Sequence, residues 1–206
     1  MRQVLLATTN PGKLREIREI LAGVPAELLS LADIPAVPAP EETGVTFQDN
    51  ARQKALHYAA ATPLITIAED SGLVIDALGG DPGVRSARFL RDDATYPERF
   101  AEIARRLALQ PGAVRTARFV CAVTIARGAD VLFETTAAIE GEIAREPRGR
   151  NGFGYDPVFI YPPYGRTLAE VSREEKLLVA HRGQAFRTVR AWLTQTCGGD
   201  ERGGRT

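Results

Sequence analysis

Two alternating runs constrain this chain most. Ala117, Phe119, Cys121, Val123 and Ile125 recur at every second position, and so do Val131, Phe133, Thr135, Ala137 and Ile139. A period of two marks a strand with one buried face. The runs are joined by Arg127-Gly128-Ala129-Asp130, a turn sequence, so two long strands are expected to pair antiparallel. Elsewhere strands and helices alternate. Val4-Leu5-Leu6-Ala7 reads as a strand, and Leu14, Ile17 and Leu21 then share one helical face. A chain with both patterns is not purely βαβ.

Punctuation fixes the helices. Asn10 is a good N-cap with Pro11 at the first helical position, and Gly23 and Pro25 end that helix. Thr46 caps a second helix with Asp49 in its first turn, and Thr62-Pro63 stops it near Ala61. Thr95-Tyr96-Pro97-Glu98 is a capping box ahead of the stripe Phe100, Ile103, Ala104 and Leu107. Ser172-Arg173-Glu174-Glu175 starts a short helix through Lys176, which His181-Arg182-Gly183 is expected to interrupt. Phe186, Val189 and Leu193 define a last helix, and the Gly-rich tail from Cys197 is expected to be disordered. Pro25, Pro35, Pro38 and Pro40 make residues 25–45 an extended segment around a possible short strand.

Composition excludes several classes. The 206 residues carry 26 basic and 26 acidic side chains, a balance that argues against a general nucleic-acid binder. No apolar run of about 18 residues exists, so no membrane span is expected. Met1 to Ala7 is too short and too quickly polar for a signal peptide. Cys121 and Cys197 are expected to be unbridged, as in a reducing cytoplasm. Only three basic residues are lysines: Lys13, Lys54 and Lys176. In so Arg-rich a chain, a retained lysine suggests a need for a compact point charge, as phosphate binding has.

Four stretches carry candidate chemistry. Glu69-Asp70-Ser71-Gly72 sits between Leu64-Ile65-Thr66-Ile67-Ala68 and Leu73-Val74-Ile75, two short apolar runs rich in β-branched residues. Adjacent carboxylates are unfavourable unless a cation or a proton neutralises them, which hints at a divalent metal. Alone, the four residues also fit a polar turn at the lip of a sheet. Thr8-Thr9-Asn10-Pro11-Gly12-Lys13 links a strand to a helix N-terminus, where N–H groups and the dipole favour a phosphate; an ordinary connection with a surface lysine fits as well. Glu41-Glu42 is an acidic loop pair, a pattern that is usually just solvated. Arg148 to Pro157 holds Gly149, Gly152 and Gly154 with Phe153 and Tyr155. Such a loop suits close ligand approach and base stacking, or equally a hairpin whose aromatics enter the core.

Taken together and in order, these stretches resemble the non-canonical purine nucleoside triphosphate pyrophosphatases, the inosine triphosphatase (Ham1/RdgB-like) family. The matching segments are Leu6 to Lys13, Glu41 to Phe47, Ala68 to Leu73, Ala77 to Gly83, Gly152 to Pro157, and Glu174-Glu175-Lys176 with His181-Arg182-Gly183. They span about residues 4–193. The resemblance implies an α/β fold with a long mixed sheet flanked by helices. It implies two lobes in one catalytic domain over 1–196, with the nucleotide in a cleft between them, and a homodimer. It also implies hydrolysis of ITP, dITP and XTP to the monophosphate and pyrophosphate with magnesium, in the cytoplasm.

Carried onto this chain, the resemblance gives Thr8, Thr9, Asn10, Pro11, Gly12 and Lys13 to the triphosphate. Asp70 becomes the catalytic carboxylate and a metal contact, with Glu41 or its neighbour Glu42 near the metal and Ser71 touching substrate. Phe153, Gly154, Tyr155, Asp156, Lys176, His181 and Arg182 form the base pocket. Thr9 stands where many relatives have Gly, and Glu69 where some have Asp. The chemistry agrees with this. Magnesium takes a few carboxylates and completes its shell with waters and phosphate oxygens. Asp70 orients or deprotonates the attacking water, orientation being the safer role. Phe153 stacks on any purine, so the choice of a 6-keto over a 6-amino base falls to donors such as Arg182 and N–H groups near His181. Two other activities fit parts of the pattern: a triphosphate sensor without cleavage, and a pyrimidine-directed pyrophosphatase.

Overall fold

A computed structural model describes residues 2–198. The strand-then-helix reading of the first residues holds: β1 (Arg2–Leu6) leads to α1 (Pro11–Ile20), and the chain returns as β2 (Ala26–Ser30), parallel to β1. Asn10 caps α1 because its side-chain oxygen accepts from the Gly12 and Lys13 N–H groups. After an extended segment comes α2 (Phe47–Ala61), whose capping box pairs Thr46 with Asp49. β3 (Ile65–Ile75) follows, parallel to β1 through the register Val4↔Ile65 to Leu6↔Ile67.

α3 (Tyr96–Ala108) begins at the Thr95/Glu98 capping box. β4 (Thr116–Arg127) and β5 (Asp130–Ile143) are sheet neighbours joined only by Gly128-Ala129, a connection too short for anything but a hairpin. The two alternating runs are therefore the long strands they resembled. β6 (Phe159–Tyr161) pairs antiparallel with β5 and with β7 (Arg166–Thr167). α4 (Arg173–Val179), opened by the Ser172/Glu175 box, and α5 (His181–Cys197) end the described chain. The strand order β2-β1-β3-β4-β5-β6-β7 makes one seven-stranded mixed sheet in an α/β fold.

The chain forms two units from interleaved segments: residues 1–70, 122–137 and 182–206 in the first, 71–121 and 138–181 in the second. In the first unit, Leu5, Ala7 and Ala68 of the parallel strands pack with Ala55, Tyr58 and Ala59 of α2. The small side chains there let the helix lie close to the strands. The core of the second unit is richer in aromatics, with Phe89, Phe119, Tyr155 and Phe159 among Leu73, Ile103, Leu107 and Leu168.

Three local expectations need correction. Glu69-Asp70-Ser71-Gly72 is not a turn: it lies inside one continuous strand, β3. His181-Arg182-Gly183 does not interrupt a helix but opens α5; the break falls on Ala180, whose backbone is extended. Helix α5 also runs through Cys197, where the tail was expected to begin, and residues 199–206 lie outside the described residues. Neither cysteine is disulfide-bonded, and both are buried.

Candidate active site

Consecutive strand residues face opposite sides of a sheet, so β3 sends Glu69 and Asp70 in different directions. Their partners follow that split. Both carboxylates are buried, Glu69 at 2% and Asp70 at 5% exposure. The Glu69 carboxylate takes Lys13 Nζ at 2.9 Å and lies 3.5 Å from Arg182 Nη2. Arg182 also donates to Glu16 at 2.8 Å, from the first turn of α5 to the second turn of α1. Burial pushes the Glu69 pKa up, but the Lys13 and Arg182 charges outweigh it and keep its carboxyl well below the usual range.

On the other side, Asn50 of α2 donates through Nδ2 to Asp70 Oδ2 at 2.9 Å. Lys54, one helical turn on, meets Glu42 at 2.5 Å and the Glu69 carbonyl at 3.3 Å. Asp70 differs from Glu69 in its proton affinity. Burial raises its pKa and the Glu42 charge adds to that, against the opposing Asn50 hydrogen bond and the Lys13 and Lys54 charges. The first unit thus gathers Lys13, Lys54 and Arg182 around Glu16, Glu42, Glu69 and Asp70. Within this cluster, burial opposes the ionisation of Asp70.

Of the acidic loop pair, Glu42 joins this cluster through Lys54, whereas Glu41 is exposed. In the loop before α1, Thr8 and Asn10 are half-buried, Thr9 and Pro11 exposed, and Gly12 buried. Several of its N–H groups are already engaged: Thr8 N–H donates to the Leu6 carbonyl at 3.0 Å, Asn10 N–H to Thr8 Oγ1 at 3.2 Å, and Gly12 and Lys13 N–H to Asn10 Oδ1. The side chains of Thr8, Thr9 and Lys13 therefore carry most of this loop's capacity for an anion.

The second unit builds a different station. Lys176 Nζ lies 2.6 Å from Asp156 Oδ2, with both side chains buried. The same oxygen accepts from the Phe153 N–H at 2.8 Å, and the ammonium sits 4.7 Å from the centre of the Phe153 ring. Gly152 has φ +73°, and a Cβ there would fall 2.1 Å from Asp156 Oδ2, so the bend admits only glycine. Phe153 and Gly154 are half-buried.

The two aromatics of the loop therefore part company. Tyr155 is a core residue: its hydroxyl donates to the Ser86 carbonyl at 2.8 Å and its ring meets Tyr96 edge-on at 5.3 Å. Burial pushes its hydroxyl pKa up. His181 is buried and stacks on Phe119 at 4.8 Å. Ser71, half-buried, follows Asp70 directly on β3. Gly72 is needed because a Cβ there would lie 2.2 Å from Ser86 Oγ, the atom that accepts from the Leu73 N–H.

All three lysines that compositional scarcity singles out are paired with a carboxylate. Lys54 is the one whose helix-flank position did not mark it as a site residue. Asn50 and Glu16 gave no signal beyond their place in helical patterns.

The comparisons with known proteins agree on one family. The model of the Ham1 family matches residues 4–192. The chain is 44% identical to a dITP/XTP pyrophosphatase of Exiguobacterium sp., over 92% of this chain and 95% of that one. It is 42% identical to the dITP/XTP pyrophosphatase of Escherichia coli (strain K12), over 92% and 96%. Among solved structures it is similar to a HAM1 protein from Coxiella burnetii, with a TM-score of 0.88 and 40% identity, covering 95% of this chain and all of that one. On the motifs, the strand order and these matches, the chain belongs to the Ham1 family.

Proposed function

We propose that this protein hydrolyses non-canonical purine nucleoside triphosphates, dITP, ITP, XTP and dXTP, to the nucleoside monophosphate and pyrophosphate. The observation that carries the reading is Asp70. It is a buried carboxylate whose ionisation is disfavoured, beside Lys13, Lys54 and Glu42. Such an acid suits binding a cation or directing a water, and it lies in a protein 42–44% identical to named dITP/XTP pyrophosphatases.

The donor set fits magnesium. Asp70 and Glu42 offer the two carboxylates that this ion takes from a protein when phosphates and waters provide the rest. The Lys54 contact favours Glu42 over Glu41 for that place. Magnesium, when bound, would neutralise charge on the phosphate oxygens. The chain's own residues do the remainder. Lys13 and the Thr8 and Thr9 hydroxyls hold the phosphates, Asp70 orients the attacking water, and Ser71 contacts the substrate. A cation about 4 Å from a phosphate oxygen is worth roughly 4 kcal/mol at intermediate dielectric, and contacts that tighten in the transition state lower the barrier. Phe153 stacks on the purine, and Gly154 to Asp156, Lys176, His181 and Arg182 shape and select the base.

A panel of nucleoside triphosphates with magnesium, scored separately for pyrophosphate and orthophosphate, tests this. Pyrophosphate from ITP, dITP and XTP, far above ATP, GTP, dTTP and UTP, is the expected result. Orthophosphate alone, binding without turnover, or preference for pyrimidines would overturn it. The protein is proposed to act as a homodimer on the cytoplasmic nucleotide pool; light scattering of the purified protein checks the dimer. No helix among the described residues is long and apolar enough to cross a membrane.

A further inference from the structure

Asn50 has a geometry that a helix-face residue does not need. It is fully buried, in the first turn of α2. Its Nδ2 donates to Asp70 Oδ2 at 2.9 Å, and its Oδ1 accepts from the Gly44 N–H at 2.8 Å. The amide orientation follows from the partners, since a backbone N–H can only donate and a carboxylate accepts. Gly44 lies two residues beyond Glu42. It is packed so closely that a Cβ on it would fall 2.6 Å from Asn50 Oδ1 and 2.7 Å from Asp49 Cβ. One side chain therefore holds Asp70 with one end and the acidic loop with the other. The backbone beneath it is fixed by the Thr46/Asp49 capping box.

We propose that Asn50 is a positioning residue that sets the spacing of two carboxylates, Asp70 on β3 and Glu42 on the loop, through its single amide. The proposal rests on the pyrophosphatase reading for its catalytic consequence, but its geometric core does not. Only a short primary amide satisfies both ends. Aspartate would turn an oxygen onto Asp70, alanine would leave the Gly44 N–H and Asp70 without this partner, and glutamine is one methylene too long for the gap. A cation shared by two carboxylates is sensitive to their spacing, and partners that orient metal ligands typically change affinity or activity by roughly 10- to 100-fold.

The test is a cycle of Asn50→Ala and Asp70→Asn, singly and together, read by binding of Mn2+ alone through its paramagnetic resonance. The steady-state kinetics of ITP hydrolysis are measured alongside. Asn50→Ala is expected to weaken Mn2+ binding by about tenfold or more and to lower kcat by roughly 10- to 100-fold, with the KM for ITP within about threefold. In the Asp70→Asn background the same substitution is expected to have no further effect on Mn2+ affinity. Gly44→Ala, which displaces the loop with Asn50 and Asp70 intact, is expected to act in the same direction, and it serves as the test should Asn50→Ala not melt cooperatively. Equal loss of Mn2+ affinity in both backgrounds, or an unchanged kcat in either folded variant, overturns the proposal. If the unmodified protein released no pyrophosphate from ITP, the functional reading would fail while the Mn2+ cycle still decided the role of Asn50.

Discussion

Asp156 and Lys176 in the second unit form a buried pair, 2.6 Å apart, with the Phe153 N–H on the same carboxylate oxygen. In the first unit Glu69 is shared by Lys13 and Arg182, Arg182 is shared with Glu16, and Asp70 alongside is held by the neutral amide of Asn50. The two regions bury charge to different ends. A buried carboxylate oxygen that takes both a lysine and a backbone N–H stiffens its loop. A cluster of several buried carboxylates, in which the pKa of Asp70 is raised, is an electrostatic setting that a divalent ion improves. On the proposed function, the chemistry falls to Asp70 in the first unit and base stacking to Phe153 in the second.

The most direct way to break that division is Asp70→Asn. Turnover should fall by roughly 10²- to 10⁴-fold, the usual range for a positioned acid or base. The metal-free protein should melt higher, because Asp70 has a raised pKa in the fold and its ionised form weighs against folding once the pH passes its ordinary value of 3.8. Pyrophosphate release and a thermal melt check both halves. A variant with full activity would end the assignment of Asp70.

Lys176→Met tests the buried pair of the second unit. It strands Asp156 in a buried site and should cost about 3–5 kcal/mol of stability, read by urea unfolding, with partial rescue by Asp156→Asn. A loss much below 1 kcal/mol would mean the pair is not structural.

Glu69→Gln probes the shared cluster through pH. The folded-state pKa of Glu69 lies below its ordinary value of 4.5, so its ionised form stabilises the fold above that value, and the contribution is lost as pH falls through the folded pKa. The variant should therefore melt lower than the parent at neutral pH, and the gap should narrow steadily in acid. A gap constant from neutral pH to about pH 3 would break the argument.

The smallest effects separate the two aromatics. Phe153→Ala should raise KM for all purine triphosphates alike, by the roughly 1–3 kcal/mol of a base stack, with kcat little changed. Tyr155→Phe removes the hydroxyl that donates to Ser86 and should cost about 1 kcal/mol of stability with KM unchanged. If Tyr155→Phe instead moved KM, its hydroxyl would act on the substrate directly rather than through the shape of the loop.

These contrasts also mark how far the sequence could be read. The capping boxes at Thr46, Thr95 and Ser172 were legible because each bond joins residues three apart. The hairpin strands were legible because a buried face imposes a period of two. The motif order identified the family. What misled was Glu69 to Gly72: local rules favour a turn for Asp, Ser and Gly, and only distant cations and Asn50 make carboxylates tolerable inside a strand.

By itself the sequence determined the first four helices and the caps that start them, the long hairpin and the motif stretches that carry the candidate site. The tertiary structure decided which lysine meets which carboxylate, that Tyr155 turns inward while Phe153 stays half-exposed, and that Glu42 rather than Glu41 joins the cluster. The reason is range. Caps and alternation are fixed by contacts a few residues apart, whereas Lys13 and Glu69 are brought together only by the parallel pairing of β1 with β3. Their charges acquire meaning only once burial removes the water between them.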